Sequence, residues 1–117
     1  MASPRTLIII PTYNERENIS KMISAVMELQ QGYHILFIDD NSPDGTAAAV
    51  TELAPRWPGQ IHLLSRPGKQ GLGRDYIAGF RWALSRPYEC IFEMDADLSH
   101  DPRQLPDLIA ASTRADV

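Results

Sequence analysis

The chain has 117 residues, of which 44% are hydrophobic and 22% are charged, and its formal net charge is −4. This length suits one domain with a buried core, and the acidic balance excludes nucleic-acid binding by charge alone. The single cysteine, Cys90, excludes an internal disulfide. No apolar run approaches the roughly 20 residues of a membrane span, and the N-terminus does not resemble a signal peptide. We therefore expect a globular, cytoplasmic protein.

The first third of the chain predicts strand, helix and strand. Thr6–Ile10 is a short β-branched apolar run closed by Pro11, which is typical of a strand buried on both faces. Apolar residues at helical spacing predict a helix over Ile19–Leu29, with Gly32 as its stop. Ile35–Ile38 is a second apolar run and predicts the next strand.

The middle of the chain continues this alternation. The turn residues of Asn41–Gly45 precede a short helix predicted over Ala47–Leu53. Ile61–Leu64 predicts a third strand, and the Gly-rich segment Pro67–Gly73 follows it as a loop. A helical stripe of apolar residues then predicts a helix over Tyr76–Leu84.

The end of the chain predicts another strand and helix. Cys90–Met94 is the fourth strand, Asp101 has the features of a helix N-cap, and a fifth strand begins at Ala115. Strands that alternate with helices predict an α/β fold, Rossmann-like, with a mostly parallel sheet and helices on both faces. In such sheets the ligand binds outside the carboxyl ends of the strands.

Acidic residues follow two of these strands. Asp95 and Asp97 are one residue apart, and their oxygens suit Mg²⁺ or Mn²⁺, although an acidic turn before the next helix has the same spacing. Asp39 and Asp40 either bond to the backbone of their own turn or accept hydrogen bonds from a nucleobase or a ribose. The Gly-rich loop could hold a phosphate but is neither a P-loop nor a dinucleotide fingerprint.

Four ordered motifs resemble those of the family 2 glycosyltransferases, and more closely those of the dolichol-phosphate mannosyltransferases, or polyprenol-monophosphomannose synthases. They are Pro11–Asn18, Asp39–Thr46, Lys69–Gly73 and Met94–Pro102. The resemblance runs from Thr6 to about Pro106. It implies the GT-A fold and a metal-dependent transfer of mannose, with inversion, from GDP-mannose to a polyprenyl or dolichyl phosphate.

The resemblance also implies roles for single residues. Asp95 and Asp97 would bind the metal and the diphosphate at the catalytic centre, and Lys69 would approach the donor. The nucleoside would be held by residues of the first two motifs, namely Pro11, Tyr13, Glu15, and Asp39 or Asp40. Because a phosphate acceptor is already an anion, the reaction needs a stabilised leaving group and positioning more than a base.

Two features depart from the family pattern. Asp75 stands where the family usually carries a small residue, and an acid there would repel the donor unless it points away or pairs with Arg74. Family enzymes also continue beyond this length, with an acceptor-side region. We therefore expect residues 1–117 to be one nucleotide-sugar-binding domain, truncated at its C-terminus, with the acceptor site and any peripheral contact with the cytoplasmic face of a membrane belonging to the full-length enzyme.

Other functions remain as alternatives. The chain could be a nucleotide-binding module without transfer activity, or a family 2 enzyme that uses another nucleotide sugar. A phospho-receiver domain would need acids after the first and third strands, where this chain has Pro11 and Ser65. A sugar nucleotidyltransferase would need a Gly-rich basic segment after the first strand, which this chain lacks.

Overall fold

Four strands form a single sheet in the computed structural model, which describes residues 5–68 and 71–96. They are β1 (Thr6–Thr12), β2 (His34–Asp39), β3 (Ile61–Ser65) and β4 (Cys90–Glu93). The order across the sheet is β3-β2-β1-β4, and every pair of neighbours is parallel. The predicted α/β architecture with a parallel sheet is therefore confirmed.

The helices cover both faces of this sheet. They are α1 (Arg16–Met27), α2 (Thr46–Leu53), which a 3₁₀ turn extends over Ala54–Arg56, and α3 (Leu72–Leu84). Helices α1 and α2 pack on one face against alternate strand residues such as Ile8 and Ile10. Helix α3 packs on the other face, against their neighbours in the pleat. The strands are apolar on both faces because both faces are covered.

Gly79 allows α3 to lie directly on the sheet. A Cβ atom added there would lie 2.9 Å from the Cδ1 atoms of both Ile9 and Ile38, which is too close for any side chain. The sequence pattern predicted this helix from its apolar stripe but assigned no role to the glycine.

Several element boundaries differ from the sequence prediction, and two of these differences bear on the edge of the sheet and on the Gly-rich loop. β1 continues through Pro11 to Thr12. Pro11 has no N–H to donate, but none is needed on the β4 side, because Ile9 is the last residue of β1 with a partner in β4. Helix α3 begins at Leu72, so Gly73 belongs to the helix rather than to the preceding loop.

The predicted helix at Asp101 and the predicted strand at Ala115 lie outside the described residues. None of the helices within the described ranges is long and apolar enough to cross a membrane.

Candidate functional site

The carboxyl ends of the strands lie along one edge of the sheet because neighbouring strands are parallel. β1 ends at Thr12 and β2 ends at Asp39, its partner in register, with Asp40 next in the chain. On the other side of β1, β4 ends at Glu93 and Asp95 follows. The structure thus brings the acids of two motifs, far apart in sequence, to the same edge.

The loop after β1 and the loop after β2 are joined by side chains. Three consecutive backbone N–H groups of the first loop donate to three side-chain oxygens of the second. The bonds run from Asn14 to Ser42 Oγ (2.9 Å), from Glu15 to Thr46 Oγ1 (3.0 Å) and from Arg16 to Asp44 Oδ2 (3.2 Å). These N–H groups lead into α1, whose N-cap residue Glu15 makes no side-chain cap. The second loop therefore supplies the hydrogen-bond acceptor for the Arg16 N–H at the start of that helix.

Asp39 is held by its own surroundings. Its Oδ1 accepts from Thr12 Oγ1 at 2.9 Å and from Ser42 Oγ at 2.6 Å, and its Oδ2 accepts from the Ser42 backbone N–H at 3.0 Å. The side chain is buried, with 1% exposure. Of the two interpretations of the acidic pair, the turn therefore describes Asp39, although the sequence alone did not distinguish it from Asp40.

Asp40 has a different environment. It is also buried, yet its Oδ1 accepts no hydrogen bond from an N–H group or an ordinary hydroxyl of the described residues. Burial, a hydrogen bond to the Asp75 carboxyl and the charges of Asp75 and Asp39 together raise the pKa of Asp40 to about 7, although the charge of Arg66 lowers it. A carboxyl group with a pKa so near neutrality is typical of functional sites.

Asp75 points into the fold. It lies in the first turn of α3, is 2% exposed, and places its Oδ1 3.6 Å from Nε of Arg66. Of the two alternatives, that Asp75 points away from the Gly-rich loop or that it pairs with Arg74, the structure favours the first: Arg74 is exposed, and the cation beside Asp75 is Arg66, which follows β3. The reason is geometric, because Asp75 lies on the helix face that meets the sheet, whereas its neighbour in sequence lies about 100° further round the helix.

The remaining predicted residues are divided between the described and undescribed parts of the chain. Pro11 is buried within β1, Tyr13 is 37% exposed, and Glu15 is half-buried with its Oε2 accepting from Asn18 Nδ2 at 3.0 Å. Lys69 and Asp97 lie outside the described residues. Tyr13 and Glu15 are thus close to the joined loops, where a groove of about 420 Å³ opens beside α1.

Asp95 is the part of the predicted metal motif that the structure describes. It is half-buried just beyond β4, and its charge is one of the causes that, after burial, raise the pKa of Tyr76. No group of three or more His, Cys, Asp or Glu side chains that could hold a metal occurs within the described ranges. The chemistry of the available ligand, a hard carboxylate oxygen, fits Mg²⁺ or Mn²⁺.

Sequence reasoning missed two features of this edge. Ser42 and Thr46 were treated only as turn residues, although they join the loops, and the pairing of Asp75 with Asp40 was not foreseen. The spacing of serine, aspartate and threonine at alternate positions signalled the first. No local signal marked the second, because the two acids belong to different elements.

The comparisons with known proteins agree on the kind of protein. The glycosyl transferase family 2 profile matches residues 7–117. A polyprenol monophosphomannose synthase of Mycolicibacterium smegmatis is 50% identical over 107 residues, which is 92% of this chain and 40% of that protein. An undecaprenyl-phosphate mannosyltransferase of Micrococcus luteus is 46% identical over 113 residues, or 97% of this chain and 46% of that protein. The chain spans less than half the length of these curated relatives.

Solved structures share the fold. A mannosyltransferase from Pyrobaculum calidifontis in complex with GDP-Man and Mn²⁺ superposes with a TM-score of 0.68 and 24% identity, covering 81% of this chain and 28% of the other. Glucosyl-3-phosphoglycerate synthase from Mycobacterium tuberculosis gives 0.71 and 17%, covering 98% of this chain and 42% of the other. With the fold, the ordered motifs and the profile in agreement, the chain belongs to glycosyl transferase family 2.

Proposed function

We propose that this chain carries the donor site of a mannosyltransferase that transfers mannose from GDP-mannose to a polyprenyl phosphate with inversion. The observation that carries the proposal is the meeting of the joined loops, Asp40 and Asp95 at one edge of a parallel sheet. Nucleotides bind at this edge in open α/β sheets. The two curated relatives, named for mannosyl transfer to polyprenyl carriers, support the choice of sugar and acceptor.

The nucleoside end of the donor belongs near the loops after β1 and β2. Tyr13 has an exposed ring for contact with a base or ribose, and Pro11 and Glu15 flank it. Asp40 is a better nucleoside ligand than Asp39, because Asp39 already accepts three hydrogen bonds within the chain. Lys69 would approach the diphosphate from the Gly-rich loop.

The diphosphate end belongs near the end of β4. Asp95 and Asp97 would hold Mg²⁺ or Mn²⁺ there, and the metal would neutralise the charge that develops on the leaving diphosphate. The relative with GDP-Man and Mn²⁺ supports a divalent metal. The chain itself positions the donor, so that the bond from C1 of the sugar to the diphosphate breaks as an acceptor phosphate oxygen forms the new bond to C1.

The acceptor has consequences for where the enzyme acts. A polyprenyl phosphate resides in a membrane, so the full-length enzyme would work as a peripheral protein at the cytoplasmic face. The acceptor phosphate needs no general base, since it is already an anion at neutral pH.

The proposal is tested by titration calorimetry of GDP with and without Mn²⁺, on the wild-type chain and on Asp95→Asn. We expect Mn²⁺ to strengthen GDP binding in the wild type and this gain to fall by about tenfold or more in the variant. Glu52→Gln, which removes one exposed carboxylate on α2, is the matched control and should retain the gain. An unchanged metal effect in Asp95→Asn would contradict the proposed metal site.

A transfer assay with labelled GDP-mannose and undecaprenyl phosphate separates the remaining alternatives. Mannosyl phospholipid is the expected product. GDP binding without product would identify a nucleotide-binding module, and tighter binding of UDP than of GDP would identify a family 2 domain for another nucleotide sugar.

A further inference from the structure

The edge that carries the proposed nucleoside site also contains a buried charge cluster, of which the proposed function uses only Asp40. Asp40 and Asp75 are 4% and 2% exposed, and Oδ1 of each lacks a conventional hydrogen-bond donor among the described residues. Nε of Arg66 lies 3.6 Å from Oδ1 of Asp75, and Asp39 directly precedes Asp40 in the chain. The groups that act on Asp40 are therefore two acids, Asp39 and Asp75, and one guanidinium.

Two buried carboxyl groups in contact cannot both ionise without a large electrostatic penalty, so such a pair retains one proton. Asp39 does not share a proton with Asp40, because its oxygens already accept hydrogen bonds from Thr12 and Ser42. Arg66, the cation of the cluster, lies beside Asp75, and the carboxyl whose pKa is raised is that of Asp40. The shared proton therefore resides mainly on Asp40 and is donated toward Asp75.

We propose that Asp75 is a positioning residue for Asp40: the two carboxyls share one proton, and that proton must leave before Asp40 accepts a charge-assisted hydrogen bond from the nucleoside of the donor. This inference rests on the proposed function, because it takes Asp40 as the nucleoside ligand. An ionised carboxylate accepts hydrogen bonds about twice as strongly as a neutral group. The small residue that the family resemblance predicts at this position would remove the neighbouring acid, so Asp40 would ionise at a lower pH.

The proposal has a measurable consequence for pH. The pKa of Asp40 is raised to about 7, by burial and then by Asp75. At pH 6 only about one molecule in ten is then ionised at Asp40, and the affinity for GDP should be about tenfold lower than at pH 8. This pH dependence of GDP affinity is a property of Asp40 and Asp75 together, because removing the charge of Asp75 lets Asp40 ionise at a lower pH.

The test measures GDP affinity from pH 5.5 to pH 8.5 for the wild-type chain, Asp75→Asn and the control Glu52→Gln. Asn is nearly the size of Asp, and its amide can donate to an ionised Asp40. We expect Asp75→Asn to bind GDP about tenfold more tightly than the wild type at pH 6 and equally at pH 8.5. Glu52→Gln removes the same charge from an exposed site and should follow the wild type.

A second measurement on the wild-type chain needs neither a variant that folds nor a ligand. Carboxyl carbon NMR should show one aspartate that titrates near neutrality, and Asp75→Ala or Asp75→Asn, whichever folds, should move that titration to lower pH. GDP profiles that superimpose for the wild type and Asp75→Asn overturn the role of Asp75. If GDP binds neither chain at any pH, the proposed function fails, and the absence of a near-neutral carboxyl titration would overturn the shared proton itself.

Discussion

The two ends of the sheet each contain a pair of like ionisable groups, but the pKa values of the two pairs are shifted in opposite directions. At the carboxyl end Asp40 faces Asp75, and burial together with Asp75 raises the pKa of Asp40 to about 7. At the amino end His62 Nε2 lies 3.4 Å from His34 Nδ1, and burial lowers the pKa of both histidines. The acid pair therefore keeps a proton that free carboxyl groups would lose, and the histidines lose their protons more readily than free imidazoles do.

The surroundings of each pair reinforce this difference. At the amino end the Tyr88 hydroxyl lies 2.8 Å from His34 Nδ1, the Trp82 ring lies 5.0 Å from the His62 ring, and Arg86 stacks on Trp82. Burial disfavours the imidazolium form of both histidines, and the charges of Arg5 and Arg86 add to this, so the histidine pair is uncharged at neutral pH. The acid pair is close to its titration midpoint at the same pH. Only the carboxyl end is therefore poised to change charge under physiological conditions.

The largest expected effect on the free energy of unfolding comes from removing the side chain of Asp39, the residue before Asp40. Asp39→Ala deprives Thr12 and Ser42 of a buried acceptor of three hydrogen bonds. We expect the free energy of unfolding in urea to fall by about 3 kcal/mol. Glu52→Ala, on the exposed face of α2, should change it by less than about 0.5 kcal/mol. A loss below about 1 kcal/mol for Asp39→Ala would show that these bonds are replaced by water.

A substitution between the two ends should disturb both together. Helix α3 contributes Asp75 to one end and Trp82 to the other, and Gly79 lies between them against Ile9 and Ile38. Gly79→Ala would push the helix from the sheet and cost about 2 kcal/mol. Gly73→Ala is the matched control, because an added Cβ there meets nothing within 4 Å. Equal stability of the two variants would refute the close approach.

The acid pair should lower the stability of the chain as pH rises toward neutrality. The folded state holds a proton on Asp40 that the unfolded state releases near pH 4, so the contribution of this pair to the free energy of unfolding falls as pH rises from about 4 to about 7. Asp75→Asn lowers the pKa of Asp40 in the folded state and should therefore stabilise the chain by about 2 kcal/mol at pH 8, and by less at pH 5. The measurement is urea unfolding at both values. The prediction would be wrong if the free energy of unfolding of Asp75→Asn differed from that of the wild type by the same amount at pH 8 and at pH 5.

The histidine pair should give the smallest effect, with the opposite sign. The pKa values of His34 and His62 are lowered in the folded state, so the unfolded state binds more protons and stability falls as pH decreases below about 6.5. His62→Gln should reduce this loss between pH 7 and pH 5 by about 1 kcal/mol. Asp75→Asn should leave the contribution of the histidines unchanged, because distant sites act additively. Coupling between the two variants in a double mutant would show that the two ends are not independent.

The sequence predicted most of the fold because its signals are local. The apolar runs before Pro11 and Asp39, and the helix stop at Gly32, define elements whose alternation implies parallel strands. The same reasoning placed the acids at one edge. It could not separate Asp39 from Asp40, because that depends on the register that sets Thr12 beside Asp39.

The sequence analysis did not predict the contacts between distant elements. Asp40 and Asp75 belong to the end of a strand and the start of a helix, and the helical wheel alone does not identify what lies beneath Asp75. Nothing local in the sequence indicates that His34 and His62 meet, although adjacent strands place them together. The roles of Lys69 and Asp97 remain predictions from the family resemblance.

The three hydrogen bonds that join the first two loops have a consequence for how such a site can evolve. They connect three consecutive backbone groups, at Asn14, Glu15 and Arg16, to side chains at fixed positions in the other loop. Inserting or deleting one residue in either loop would misalign more than one of these bonds at once. The two loops therefore cannot vary in length independently, and new donor specificities would have to arise by changing side chains on a loop framework of constant length.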